Sequence, residues 1–356
     1  MRVGWTAIPL VFVLTGAQCR NDPASPAAAR TYRMGFSAVP PQLNVQSVIQ
    51  TIDMWSKRGD AALLALTPPW KAMLADSAPR EIVRREQLDL VNYYRGKGME
   101  IVAMIDATDG LARDKEHPDL IAAGRSIKEP GIQAMFQAYV LTVDSILHPD
   151  RLLLAMETNL IRAIAPADVY TALRSMVNNT ATALTSAGGG SSAALGVSVQ
   201  VETAWGRLPG NGTYIGVAQD MADFPFTANL GLSSYPYLGG FADPADIPQN
   251  YYARIATDTH KPVLVVEGGW SSVTVPGGAS TSPEEQARYI VRQMQLLDDA
   301  RAVDVFQITF TDIDLASWNL PSGSILPLFA SIGLVTADFN AKPALAEWDR
   351  AFARRR

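Results

Sequence analysis

Eight short apolar runs, alternating with stretches of helical spacing, constrain this 356-residue chain more than any other feature. The runs span residues 32–38, 60–66, 100–105, 151–159, 195–202, 229–237, 261–270 and 305–310. Some are apolar on both faces, as Val263-Leu264-Val265-Val266 is, which suits parallel strands covered by helices. Between the first two runs, Val48, Ile49, Ile52 and Trp55 recur at helical spacing, predicting a helix over 45–57. Further helices are predicted over 82–97, 132–147, 167–187 and 343–353, with a glycine-rich turn at 188–192. Ser282-Pro283-Glu284-Glu285 opens another, with an N-cap, proline at N1 and glutamate at N3. No solenoid repeat or second domain interrupts the pattern. The α/β alternation predicts a single (β/α)8 TIM barrel over residues 31–356.

Two of the runs stop at a glutamate. One is Lys261-Pro262-Val263-Leu264-Val265-Val266-Glu267-Gly268-Gly269-Trp270, the other Arg151-Leu152-Leu153-Leu154-Ala155-Met156-Glu157-Thr158-Asn159. A carboxylate at a strand end has little packing value, because burying it unpaired is costly. Either glutamate alone also fits a strand-end salt bridge. In a barrel, however, the C-terminal strand ends carry the active site. About 110 residues separate the two, room for about three βα units of ~30 or more residues. If Glu157 ends strand four, Glu267 ends strand seven. Two facing carboxylates are the apparatus of glycoside hydrolysis.

Charged residues make up 18% of the chain and the net charge is −5, with no basic patch interleaved with aromatics. Nucleic acid is therefore not an expected partner. Arg2, the apolar stretch at 7–14 and Thr15-Gly16-Ala17 have the layout of a secretory signal, too short to span a bilayer. Cleavage after Ala17 satisfies the small-residue rule. Cys19, the only cysteine, also resembles the site of a bacterial lipoprotein anchor, although Gln18 stands where a small residue is usual. The expectation is a signal over 1–19, a tether over 20–30, and a secreted, periplasmic or lipid-anchored surface protein of a bacterium.

With both glutamates in place, the chain resembles the clan A glycoside hydrolases, and within them the endo-β-1,4-galactanase family and related extracellular hydrolase-like proteins. The matching pieces are Glu157-Thr158-Asn159, Ser234-Tyr235-Pro236-Tyr237, Glu267-Gly268-Gly269-Trp270, and the tail pieces Ile332-Gly333-Leu334-Val335 and Lys342-Pro343-Ala344. The resemblance implies a retaining enzyme with Glu157 as acid/base and Glu267 as nucleophile. Clan members usually carry Asn before the acid/base glutamate, to hold the sugar 2-hydroxyl. In this chain that residue is Met156, and Asn159 is the candidate replacement. Gly268 stands where threonine is more usual.

An apolar pocket around Met156 would favour a protonated Glu157, while Tyr235 could donate to Glu267 or simply pack at the rim. Trp70, Tyr237, Trp270 and Trp318 fall at or beyond strand ends, where aromatics serve either as sugar platforms or as loop packing. Gln200 and Glu202 end strand five and could reach a sugar. Asp106 and Asp109 read as turn caps, Asp312 and Asp314 as ambiguous, and Trp55 and Trp348 as core. His117, His148 and His260 have no ligand spacing, and neither a P-loop nor Gly-x-Ser-x-Gly occurs. The expectation is a monomer without metal or cofactor that acts on a carbohydrate. The alternative is a noncatalytic glycan-binding barrel.

Overall fold

The computed structural model describes residues 28–186, 190–278, 280–320 and 322–356. The predicted leader with Cys19, the tether up to residue 27 and Gly188-Gly189 lie outside the described residues. Eight parallel strands close into a barrel in sequence order. They are β1 (Arg33–Phe36), β2 (Ala61–Leu66), β3 (Glu100–Ile105), β4 (Arg151–Leu153), β5 (Ala194–Gln200), β6 (Asn229–Ser234), β7 (Val263–Gly268) and β8 (Asp304–Gln307). Closure runs through β1 and β8, from Arg33 opposite Asp304 to Phe36 opposite Gln307.

The alternation of side chains along each strand divides the core into two. Leu63, Val102, Met104, Leu153, Leu264 and Phe306 fill the barrel axis. Their neighbours Leu64, Ile101, Ala103, Val263 and Val265 face the helices. Two glycines make the axis fit. A Cβ on Gly231 would lie 2.7 Å from Leu153 Cδ1 and 2.8 Å from Ser198 Cβ, and one on Gly196 would lie 2.9 Å from Leu153 Cδ2. Leu153 thus occupies the space that glycines on β5 and β6 leave empty. At the opposite, N-terminal end of the strands, Arg33 and Arg151 pair with Glu100 and with buried Asp304, closing the barrel floor.

The helices follow the sequence reading with local differences. Ser282 caps Pro283–Ala300 by accepting from the Glu285 N–H. Pro79–Val83 continues through a π-turn at Arg84–Leu88 into Asp89–Gly96, where one regular helix was predicted. Trp55 and Trp348 are fully buried, with Phe36 packed against both rings at 5.9 and 4.6 Å. Strand ends differ more. β4 is three residues long rather than nine: it ends at Leu153, and beyond it Glu157 adopts a left-handed conformation (φ 47°) that turns the chain into the helix Thr158–Ile164. β5 ends at Gln200, whose side chain caps the one-turn helix Val201–Ala204 by accepting from the Thr203 N–H, so Glu202 sits on a helix rather than a strand.

Candidate active site

At the C-terminal end of the barrel lies a cavity of about 940 Å³, and both Glu157 and Glu267 line it. Each is aimed there by a local departure from regular structure. Strict alternation would send Glu267 to the side opposite Val266, which fills the barrel axis. The pairing of β6 with β7 shifts register at this point, from Leu232 opposite Val265 to Ser233 opposite Glu267. One extra residue in β7 therefore lets Val266 and Glu267 both face inward, as β-bulges beside active sites do. Glu157 is turned by its left-handed backbone, and its N–H donates to Ser198 Oγ at 2.9 Å.

The two carboxylates have different surroundings. Glu157 Oε1 accepts from Ser233 Oγ at 2.6 Å and Oε2 from Arg113 Nε at 2.7 Å. Arg113 also donates through Nη1 to both oxygens of Asp106, at 2.8 and 2.7 Å. Burial alone would lower the Arg113 pKa, but Asp106 and Glu157 more than offset it and the net direction is up. Glu267 Oε1 accepts from the Tyr235 hydroxyl at 2.8 Å, while Oε2 is buried with no partner among the described residues. Burial first, then repulsion from Glu157, pushes the Glu267 carboxyl up to about 7, against the opposing pull of Arg113 and Tyr235. Burial and Glu267 hold the Tyr235 phenol well above its usual range, so it stays a donor.

The expected apolar pocket around Glu157 is thus replaced by an ion pair, and Met156 packs into the barrel-axis cluster. Arg113 and Ser233 were missed by sequence reasoning. A lone arginine after Gly110-Leu111-Ala112 reads as a solvated loop residue. Ser233 had a usable signal, since it lies two residues before Tyr235, on the same side of an extended chain. Asp106 accepts from the Thr108 N–H as a turn cap, as anticipated, but it also anchors Arg113.

Several predicted contact residues lie elsewhere. Asn159 is buried and ties β4 to β5: its Nδ2 donates to Gln200 O, and its Oδ1 accepts from the N–H groups of Gln200 and Leu160. Buried and away from the cavity wall, it is not placed to hold a sugar hydroxyl. Trp70 is fully buried near Phe136. Tyr237 donates to Leu328 O, and Trp270 donates to Thr281 Oγ1 while stacking on Tyr289, so both are packing residues. Glu202 is fully buried off the cavity, accepting from Gln200, Ser234 and Tyr251, and burial pushes it up to about 7. Gln200 does reach the cavity, but its amide is committed to Glu202 and Thr203. Trp318 lines the cavity, with its indole N–H donating to Pro41 O. Asp312 pairs with Lys342, and Asp314 caps a short helical turn. Among the described residues no three His, Cys, Asp or Glu side chains gather as a metal site would require.

No protein-family model and no curated protein sequence matches the chain. Solved structures match it in shape. A family 39 glycoside hydrolase from the gut symbiont Bacteroides cellulosilyticus WH2 superposes with a TM-score of 0.60 at 16% identity, covering 91% of this chain and 64% of that one. The exo-β-1,4-mannosidase Op5Man5 from Opitutaceae bacterium strain TAV5 gives 0.63 at 15% identity, over 92% of this chain and 60% of its own. A structure of fungal β-1,4-galactanases gives 0.57 at 14% identity, over 90% of this chain and all of that one. The chain spans less than two thirds of the first two proteins. At these identities what is shared is the fold, a closed barrel of eight parallel strands like that of these glycoside hydrolases.

Proposed function

We propose that this protein is an exported, retaining glycoside hydrolase that cleaves a β-linked carbohydrate through Glu157 and Glu267. The observation that carries the reading is the pair itself. Two buried carboxylates leave the ends of β4 and β7 and face one cavity, near enough for Glu157 to help raise Glu267. Burial and repulsion from Glu157 raise the Glu267 carboxyl to about 7, so below that pH the two carboxylates hold a proton between them. Double displacement needs one proton on two carboxylates.

In this reading a Glu267 oxygen attacks the anomeric carbon, the bond to the leaving-group oxygen breaks, and that oxygen takes its proton from Glu157. Water then attacks the same carbon, gives a proton to Glu157, and releases Glu267 as a carboxylate. For this chemistry the proton shared by the pair has to reside on Glu157, and the Arg113 contact to that carboxylate has to loosen as substrate enters. Tyr235, donating to Glu267, stabilises its ionised form and so favours that placement.

The Arg113–Glu157 contact also favours a second reading, a noncatalytic glycan-binding barrel, since it occupies the group that must act as acid. Proton NMR of the first product released from an aryl β-glycoside separates the two. Retention at the anomeric carbon supports the hydrolase, and inversion rules out a nucleophilic Glu267 with Glu157 as its acid/base. Binding without turnover across a panel of β-glycosides favours the noncatalytic barrel. Export is proposed on the leader alone. Mass spectrometry of protein from its own host should find a mature start near Gln18 or a lipid-modified Cys19, and an intact Met1 in the exported fraction would overturn it.

A further inference from the structure

We infer that the substrate of this cavity is a single sugar ring carried on an apolar aglycone, rather than a polysaccharide chain. The inference rests on the hydrolase reading and narrows its substrate class. The polar side chains at the cavity come chiefly from the strand ends: Glu157, Gln200, Tyr235, Glu267 and, just beyond β8, Thr309, with Arg113 and, at the exposed rim, Asp114 from the loop after β3. Both Glu157 oxygens, the Gln200 amide and the Tyr235 hydroxyl already have protein partners. Glu267 Oε2 and Thr309 Oγ1 are buried with none among the described residues. Few groups are left to replace the water that sugar hydroxyls lose on entry, about enough for one ring.

Apart from Trp318 and Phe329, whose ring packs edge-on against Tyr235 at 4.8 Å, the rest of the wall is largely aliphatic. Leu160 and Ile164, four apart on one face of the helix Thr158–Ile164, join Leu208, Leu238, Ile325 and Leu326 in lining it. Ile164 and Ile325 are each 40% exposed, so the apolar surface continues from the carboxylates out to solvent. Branched aliphatic side chains have no flat face on which a sugar ring can stack. Of the four aromatic platforms anticipated for a glycan, Trp318 alone lines the cavity among the described residues. A volume of about 940 Å³ leaves room beyond one ring, and its surroundings suit hydrocarbon.

The test uses the full-length protein with methyl, butyl, hexyl and octyl β-D-gluco-, galacto- and mannopyranosides, below their micelle concentrations, beside β-linked oligosaccharides of the same sugars. For the accepted sugar, kcat/KM should rise up to about fourfold per methylene, the equivalent of ~0.8 kcal/mol. Ile164→Ser combined with Ile325→Ser should flatten that rise; both positions already meet water, so the variant should fold. Phosphatidylcholine vesicles carrying a dialkylglycerol β-glycoside distinguish a lipid glycoside, if it is cleaved, from a small apolar one, if only soluble glycosides are. Calorimetric binding of methyl and octyl glycosides to Glu267→Gln separates this inference from the hydrolase reading. Binding that strengthens with chain length supports the inference even without turnover. Turnover of oligosaccharides with no chain-length dependence of alkyl glycosides would overturn it while leaving the hydrolase intact.

Discussion

Glu157 accepts one hydrogen bond on each oxygen, from Ser233 and Arg113, whereas Glu267 accepts one from Tyr235 and leaves its second oxygen buried without a donor among the described residues. Burial first, and then repulsion from Glu157, raise the Glu267 carboxyl to about 7, with Arg113 and the Tyr235 hydrogen bond opposing. Double displacement fails once both carboxylates are ionised, so kcat/KM should fall as pH rises through about 7. A rate that climbs above that value would be incompatible with one shared proton. Tyr235→Phe tests the same electrostatics from the other side. The phenol lowers the Glu267 pKa, so its loss should move the alkaline limb upward. It should also cost about 10- to 100-fold in kcat/KM, the scale of a hydrogen bond to a charged group. A limb that stays in place would reduce Tyr235 to packing.

The elements explain both what was legible in the sequence and what was not. Apolar runs and helical spacing revealed the eight strands because the period of a pattern survives without any knowledge of partners. Glu157 and Glu267 stood out because each interrupts an apolar run. Their aim did not, since it depends on a left-handed residue at 157 and a register shift in β7, neither of which alters the hydrophobic pattern. Trp70, Tyr237 and Trp270 were open to misreading for the converse reason: an aromatic near a strand end looks the same whether it faces a cleft or the layer behind it. Glycine placement was legible but mute. Gly231→Ala should destabilise the barrel by about 1–3 kcal/mol in urea unfolding, through overpacking against Leu153 and Ser198. Adding Leu153→Ala should return part of that loss, so that the double variant is more stable than the sum of the single effects predicts. Additive effects would show that the two do not share the space.

Among the described residues burial raises five carboxyl groups, Asp220 and Asp312 included, and three of them furthest: Glu202 and Glu267 to about 7 and Asp304 to about 6. Each has a folded pKa above its unfolded value, so the folded state keeps its proton longer. The stability this contributes is present in full below about 4 and is lost as pH rises to about 7, on the order of a few kcal/mol per group. The thermal midpoint should therefore be higher at pH 5 than at pH 8. Glu202→Gln should narrow the gap between the two pH values, because a fully buried group that no longer titrates is removed from the sum. A wild-type midpoint that rises from pH 5 to pH 8 would show that these carboxyls are solvated rather than buried.

The claim that Glu267 attacks the sugar is tested most directly by trapping. A 2-deoxy-2-fluoro β-glycoside with an activated leaving group, of the sugar the protein hydrolyses, should inactivate it one-to-one. Peptide mass spectrometry should then find the fluoroglycosyl group on the Glu267 carboxylate. A label on Glu157 would reverse the two roles, and hydrolysis of the parent glycoside with no label on either glutamate would contradict the account.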